Sequence, residues 1–114
     1  MNKLAGVHPR LVARVARVLA AMEAMGVCWK KAGPLVEPPM EFIETPFDGI
    51  SLPGYLRKPA GVTRPPLTIL VPGGDSTKEE LYDFGEHILK RGIAVLAFDG
   101  PGQGLLSTKV KLRP

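Results

Sequence analysis

Two short, nearly continuous apolar runs, Leu67-Thr68-Ile69-Leu70-Val71 and Ile93-Ala94-Val95-Leu96-Ala97-Phe98, constrain this chain more than any other feature. Strands with one solvated face alternate; a run without alternation reads as a strand buried on both faces. The first run stops at Pro72-Gly73-Gly74 and the second at Asp99-Gly100-Pro101-Gly102-Gln103-Gly104. Between them, Ser76 and Glu79 have the capping-box spacing, Glu80 joins them in the first turn, and Leu81, Phe84, Ile88 and Leu89 form the apolar face of a helix. Lys90 and Arg91 suit the negative end of that helix, and Gly92 suits its stop. Strand, helix and strand of these lengths make a βαβ unit. Such a crossover gives a parallel pair with its loops at the C-terminal ends of the strands, where open sheets place their sites.

Upstream, Glu41–Phe47 and Ile50–Leu56 are short apolar-polar stretches joined by Asp48-Gly49, a dipeptide that favours a tight hairpin. Pro46 and Pro53 cannot donate to a ladder, so edges, bulges or strand ends are expected for them, in a hairpin peripheral to the sheet. From about Pro9 to Met25, Leu11, Val12, Val15, Val18, Leu19, Met22 and Met25 recur at helical spacing, while Arg10, Arg14 and Arg17 share another face. Gly33, Pro34, Pro38 and Pro39 then mark a linker.

A length of 114 residues leaves room for one small domain, whereas complete open α/β sheets with their helices usually need more, so a fragment or minimal fold is expected. With 45% hydrophobic and 23% charged residues, disorder throughout is excluded. The formal charge of +4 sits in the first 37 residues, where Lys3, Arg10, Arg14, Arg17, Lys30 and Lys31 face only Glu23 and Glu37. That stretch lacks interleaved aromatics and a recognised module, so a solvated helix face is expected and nucleic-acid binding is not. Cys28, the single cysteine, excludes an intrachain disulfide and a cysteine-built zinc site; a packing role beside Trp29 and a reducing cytoplasm are expected. No apolar run reaches membrane-spanning length, and arginines interrupt any signal-peptide core, so no membrane association is expected.

The stretches Thr45-Pro46-Phe47-Asp48-Gly49 through Tyr55-Leu56, Val71-Pro72-Gly73-Gly74-Asp75-Ser76-Thr77-Lys78-Glu79-Glu80 and Phe98-Asp99-Gly100-Pro101-Gly102-Gln103-Gly104 together resemble the 2,6-dihydroxypseudooxynicotine hydrolase-like branch of α/β-hydrolases, related to the fermentation-respiration switch protein type. The resemblance covers about Glu41 to Gly104. It implies an α/β fold class: a partial α/β-hydrolase fold with an N-terminal helix, a β-hairpin and one βαβ unit. It further implies serine-dependent hydrolysis of a C–C or ester-type bond in a small-molecule carbonyl substrate, with no cofactor and no metal. In such enzymes the turn after the third strand offers a backbone N–H to the developing oxyanion. Gly74 is the donor this implies, with Asp75 the alternate; an isolated Gly-Gly would instead read as a turn that caps a strand.

Other readings of the same loops are weaker. Asp75-Ser76-Thr77-Lys78 lacks the spacing and ending of a P-loop, and Gly100-x-Gly102-x-Gly104 lacks a following helix, so neither makes a nucleotide site. Asp99 is expected to be a structural acid that orders its glycine loop. A nucleophile elbow needs Gly-x-Ser-x-Gly, and Ser51, Ser76 and Ser107 lie in no such motif. His8 and His87 precede the place where the elbow would come, so His87 reads as a surface or packing residue and His8 as a pre-helix residue. Leu105 stands where the family continues with Glu, and the following tail holds no acid. The expected organisation is residues 1–37 as helical segment and linker, 38–104 as the N-terminal part of a hydrolase domain, and 105–114 as a divergent basic tail, the ancestral frame being left near Gly104. Such a fragment is expected to be inactive alone. A non-catalytic interaction module, using an exposed sheet edge and the basic helix and prone to self-association, is the alternative.

Overall fold

The computed structural model describes residue 6, residues 8–74 and residues 76–104. Helix α1 (Pro9–Ala32) leads through a 3₁₀ turn (Gly33–Leu35) to strands β1 (Met40–Phe47) and β2 (Ile50–Arg57). Strand β3 (Leu67–Leu70), a second 3₁₀ turn (Lys78–Leu81), helix α2 (Tyr82–Leu89) and strand β4 (Ala94–Phe98) follow. The strands form one mixed sheet in the order β1-β2-β4-β3, with β3 and β4 parallel and the other pairs antiparallel.

The expected hairpin is present. Asp48 (φ 43°) and Gly49 (φ 76°) both take positive φ, as the two-residue turn that matches strand twist requires. It is not peripheral, however: β2 lies inside the sheet, paired with β1 on one side and β4 on the other. Pro46 falls on the edge strand β1, as expected, but Pro53 stands mid-strand. Ladder alternation from Phe47↔Ile50 turns the ring nitrogen of Pro53 away from β1 and toward β4. There it accepts through its carbonyl from Asp99 N–H at 3.1 Å and has no N–H to return, so the β2–β4 ladder stops where the Asp99 loop begins.

The βαβ unit is also present, with two departures from expectation. Strand β3 is not buried on both faces: it is the sheet edge opposite β1, and Leu67, Ile69 and Val71 are 52%, 56% and 58% exposed. Phe84 is solvent-facing at 60% exposure, and Gly85 and Leu89 turn inward instead. The 3₁₀ turn that begins this helix advances three residues per turn, so the phase read from an uninterrupted α-helix is lost. Nor does Ser76 cap the helix; its Oγ donates to Glu80 Oε2 at 2.8 Å, and Thr77 holds the N-cap position without a side-chain cap. The C-terminal expectation holds, with Gly92 (φ 77°) donating to Leu89 O at 2.9 Å and Arg91 Nη1 reaching His87 O.

Helix α1 runs past Met25 to Ala32, since nothing between Gly26 and Lys31 breaks it and the basic pair Lys30 and Lys31 suits its C-terminus. Its start is fixed by His8, whose Nδ1 accepts from Arg10 N–H at 3.2 Å, with Pro9 in the first turn. Its C-terminal end meets the rest of the fold: Trp29 packs on Tyr82 of α2 with ring centroids 5.2 Å apart, and Lys30 Nζ lies over the Phe42 ring of β1 at 3.8 Å. Cys28 is exposed, contrary to the packing role expected for it. Trp29, Met40, Tyr55, Arg57, Tyr82 and Val95 share one small cavity, which places both helices on the same face of the sheet.

Gly54 lies where β2 packs tightly against β4. A Cβ there would lie 3.1 Å from Ala97 O and 3.2 Å from both Leu96 Cδ1 and Phe98 Cβ. Gly54→Val is expected to destabilise the chain by about 1–3 kcal/mol through overpacking, read as a lower urea midpoint at constant slope.

Candidate functional site

Because β3 and β4 are parallel, the loops that follow them meet at one end of the sheet. Asp99, the first residue after β4, is completely buried. Its Oδ1 accepts the backbone N–H of Lys78 at 2.8 Å and its Oδ2 accepts from Lys78 Nζ at 2.7 Å. Lys78, 1% exposed, also lies 2.7 Å from Glu79 Oε1 and 5.4 Å from the Tyr55 ring centroid. Gly104 (φ 46°) rests against the same Asp99 carboxylate so closely that a Cβ would overlap its oxygens. Asp99 therefore orders its own glycine loop, as expected, and also fixes the start of the helical segment that follows Gly74. Burial, with the negative charges of Glu79 and Asp99 adding to it, pushes the Tyr55 phenol well above its ordinary ionisation range, so this wall of the cluster stays neutral.

Gln103 makes the second link between the loops. Its Oε1 accepts Gly100 N–H at 3.0 Å, while Nε2 donates to Pro72 O at 2.6 Å and to Gly73 O at 3.2 Å. Gly73 O also accepts Ser76 N–H at 3.2 Å. In a trans peptide the N–H points opposite to the carbonyl, so Gly74 N–H is directed away from Gln103. Gly73 and Gly74 are exposed, and among the described residues beyond their chain neighbours no atom stands within 4 Å of where a Cβ would be at either. Asp75, the alternate donor, and the tail from Leu105, including Ser107, lie outside the described residues.

The remaining sequence candidates are scattered. His8 caps α1, His87 is exposed on α2, Ser51 is exposed on β2, and Ser76 bonds Glu80. Among the described residues none of these serines and histidines hydrogen-bonds another, and no group of three or more His, Cys, Asp or Glu could hold a metal. Nor is any described helix long and apolar enough to cross a membrane. Two features escaped the sequence reading. Lys78 and Gln103 enter it only as members of the motifs, with no role assigned; the signal for either is its place beside a glycine loop at a strand's end. Arg57 is a third such case. It is buried, pairs through Nη1 with Glu86 Oε1 at 2.5 Å, donates through Nε to Pro38 O at 3.2 Å and lies over the Tyr82 ring at 4.6 Å. Its hydrogen bond and charge hold the Glu86 carboxyl below the usual range.

No family model matches the chain. It is 46% identical over 76 residues to the 2,6-dihydropseudooxynicotine hydrolase of Paenarthrobacter nicotinovorans, a match covering 67% of this chain and 21% of that protein. The crystal structure of a 2,6-dihydroxy-pseudo-oxynicotine hydrolase superposes with a TM-score of 0.69 at 42% identity, over 73% of this chain and 24% of that one. The chain belongs to the α/β-hydrolases. Its matched part corresponds to the N-terminal portion of the 2,6-dihydroxypseudooxynicotine hydrolase-like branch. An α/β-hydrolase from an Acremonium species is 43% identical over 107 residues, 87% of this chain and 25% of that protein. The chain thus spans about a quarter of the length of these curated relatives. The solved protein AbyA5, at 21% identity and a TM-score of 0.58, shares the fold.

Breaking a buried pair by removing one partner costs about 3–5 kcal/mol, because a charge is left without compensation. Lys78→Met strands two carboxylates, whereas Asp99→Asn leaves Lys78 its contact with Glu79 and keeps an acceptor for the Lys78 amide. Urea unfolding should show a larger loss for Lys78→Met than for Asp99→Asn; equal, sub-kilocalorie effects would show that the cluster does not hold the loops.

Proposed function

We propose that this chain is the part of a serine hydrolase that supplies the oxyanion loop, and that it does not catalyse on its own. The observation that carries this reading is the Gly73–Gly74 peptide, whose carbonyl accepts from Gln103 and Ser76, so that its N–H points the opposite way, at an exposed glycine pair with no other described atom beyond the chain neighbours within 4 Å of either Cβ position. Gly74 is the backbone donor, with Asp75 the alternate. In acyl transfer a serine oxygen attacks a carbonyl carbon, and the charge that gathers on the carbonyl oxygen is stabilised by donors already in place. The hydrolase names of the relatives favour a small-molecule substrate, and the family resemblance of the motifs favours a carbonyl compound with a C–C or ester-type bond to cleave. Such chemistry requires no cofactor or metal. No Gly-x-Ser-x-Gly elbow occurs in the sequence, so the loop here has no nucleophile to assist. Residues 1–37 then serve as helical segment and linker, 38–104 as the N-terminal part of the hydrolase domain and 105–114 as a basic tail, in a cytoplasmic protein without nucleic-acid or membrane partners.

With the purified chain and activated esters, hydrolysis should not rise above the buffer rate. Turnover that one serine substitution abolishes would overturn the inactive reading.

A second reading is favoured by strand β3. It pairs only with β4 among the described residues, and its Leu67, Ile69 and adjoining Val71 are exposed. An apolar sheet edge of this kind recruits further strands, so a non-catalytic module that associates through it, with the basic α1 helix as a further contact surface, is the alternative. Sedimentation of the chain should show concentration-dependent association that Ile69→Lys reduces; a monomer with cooperative unfolding at all concentrations excludes it.

A further inference from the structure

We infer that Gln103 is a positioning residue whose side-chain amide sets the direction of the Gly73–Gly74 peptide and thereby aims the Gly74 N–H. This rests on the reading of Gly74 as the oxyanion donor, but the geometry behind it is independent of that reading. Two consecutive glycines carry no Cβ to restrict their backbone, and among the described residues beyond their chain neighbours nothing lies within 4 Å of either Cβ position. Sterics therefore leave this peptide free to rotate. Its direction must come from hydrogen bonds. Among the described residues these are Ser76 N–H to Gly73 O at 3.2 Å, which only closes a local turn, and Gln103 Nε2 to Pro72 O and Gly73 O at 2.6 and 3.2 Å.

The chemistry of the side chain fits the task. A primary amide has two N–H donors on nitrogen and an acceptor oxygen. Gln103 directs its nitrogen to two adjacent carbonyls and its oxygen to Gly100 N–H at 3.0 Å. Reversing the amide would set its oxygen against two carbonyl oxygens and its NH₂ against an N–H, so the network admits one orientation. Glutamate cannot donate when ionised, lysine cannot accept, and asparagine is shorter by a methylene. The Lys78–Asp99 cluster does not replace this contact, because it grips the chain at Lys78, beyond the glycine pair.

The test uses the full chain, labelled with ¹⁵N, as wild type, Gln103→Glu and Gln103→Ala. Gln103→Glu is nearly isosteric and keeps an acceptor for Gly100 N–H while losing the donors to Pro72 and Gly73. In both variants the Gly74 amide order parameter should fall from about 0.85 to below about 0.6, while the β4 amides Val95 and Leu96 keep their values. An unchanged Gly74 amide in both variants overturns the proposal. A second arm places residues 38–104 in the corresponding part of the Paenarthrobacter hydrolase, where Gln103→Glu should lower kcat about 100-fold with KM within about twofold, as for a displaced transition-state contact. If the Gly74 amide loosens but kcat holds, Gln103 still positions the peptide and it is Gly74 that is not the oxyanion donor.

Discussion

One buried carboxylate organises the end of the sheet where the glycine loops meet. Asp99 binds the backbone and the side chain of Lys78 and receives Gly104 against its oxygens, so the loop after β4 and the start of the helical segment after β3 are fixed by a single group. Taking these charges out of water carries a desolvation cost that a close pair only partly repays. What the cluster contributes is placement. It holds the start of the helical segment against the end of β4, and Gln103 then needs only to join the nearer parts of the two loops.

The same division of labour appears across the sheet. On the face bearing Tyr55, Arg57, Val95 and Ala97, both helices pack, and Arg57 gathers the linker, β2 and α2 through Pro38, Glu86 and Tyr82. The other face carries Leu96 and Phe98 beside Gly54, with Leu67 and Ile69 exposed at its edge. An asymmetry of this kind suits a layer joined by more polypeptide, in keeping with relatives of which the matched part spans about a quarter.

Much of this was legible in the sequence because it depends on neighbours along the chain. Asp48-Gly49 specifies its turn through backbone conformation, Gly92 stops its helix, and the apolar runs with their glycine ends mark the βαβ unit. The three motifs in order also pointed to the α/β-hydrolases. What escaped depends on partners far away in sequence. Strand order was not readable, so the hairpin was misplaced at the periphery and β3 in the interior. The phase of α2 was lost to a 3₁₀ turn, which misassigned Phe84. Lys78 is an ordinary surface residue by composition and becomes a buried one only because Asp99, 21 residues later, waits beneath it.

The strand order β1-β2-β4-β3 also bears on how the protein is made. Strand β4, the latest in chain order among the described strands, occupies an interior position between β2 and β3. On the ribosome the hairpin can zip as soon as β2 emerges, but β3 has no partner until β4 arrives and both of its seams close together. The nascent chain therefore carries two open strand edges through the synthesis of the whole crossover, a period in which chaperone contact or mispairing with neighbouring chains competes with folding.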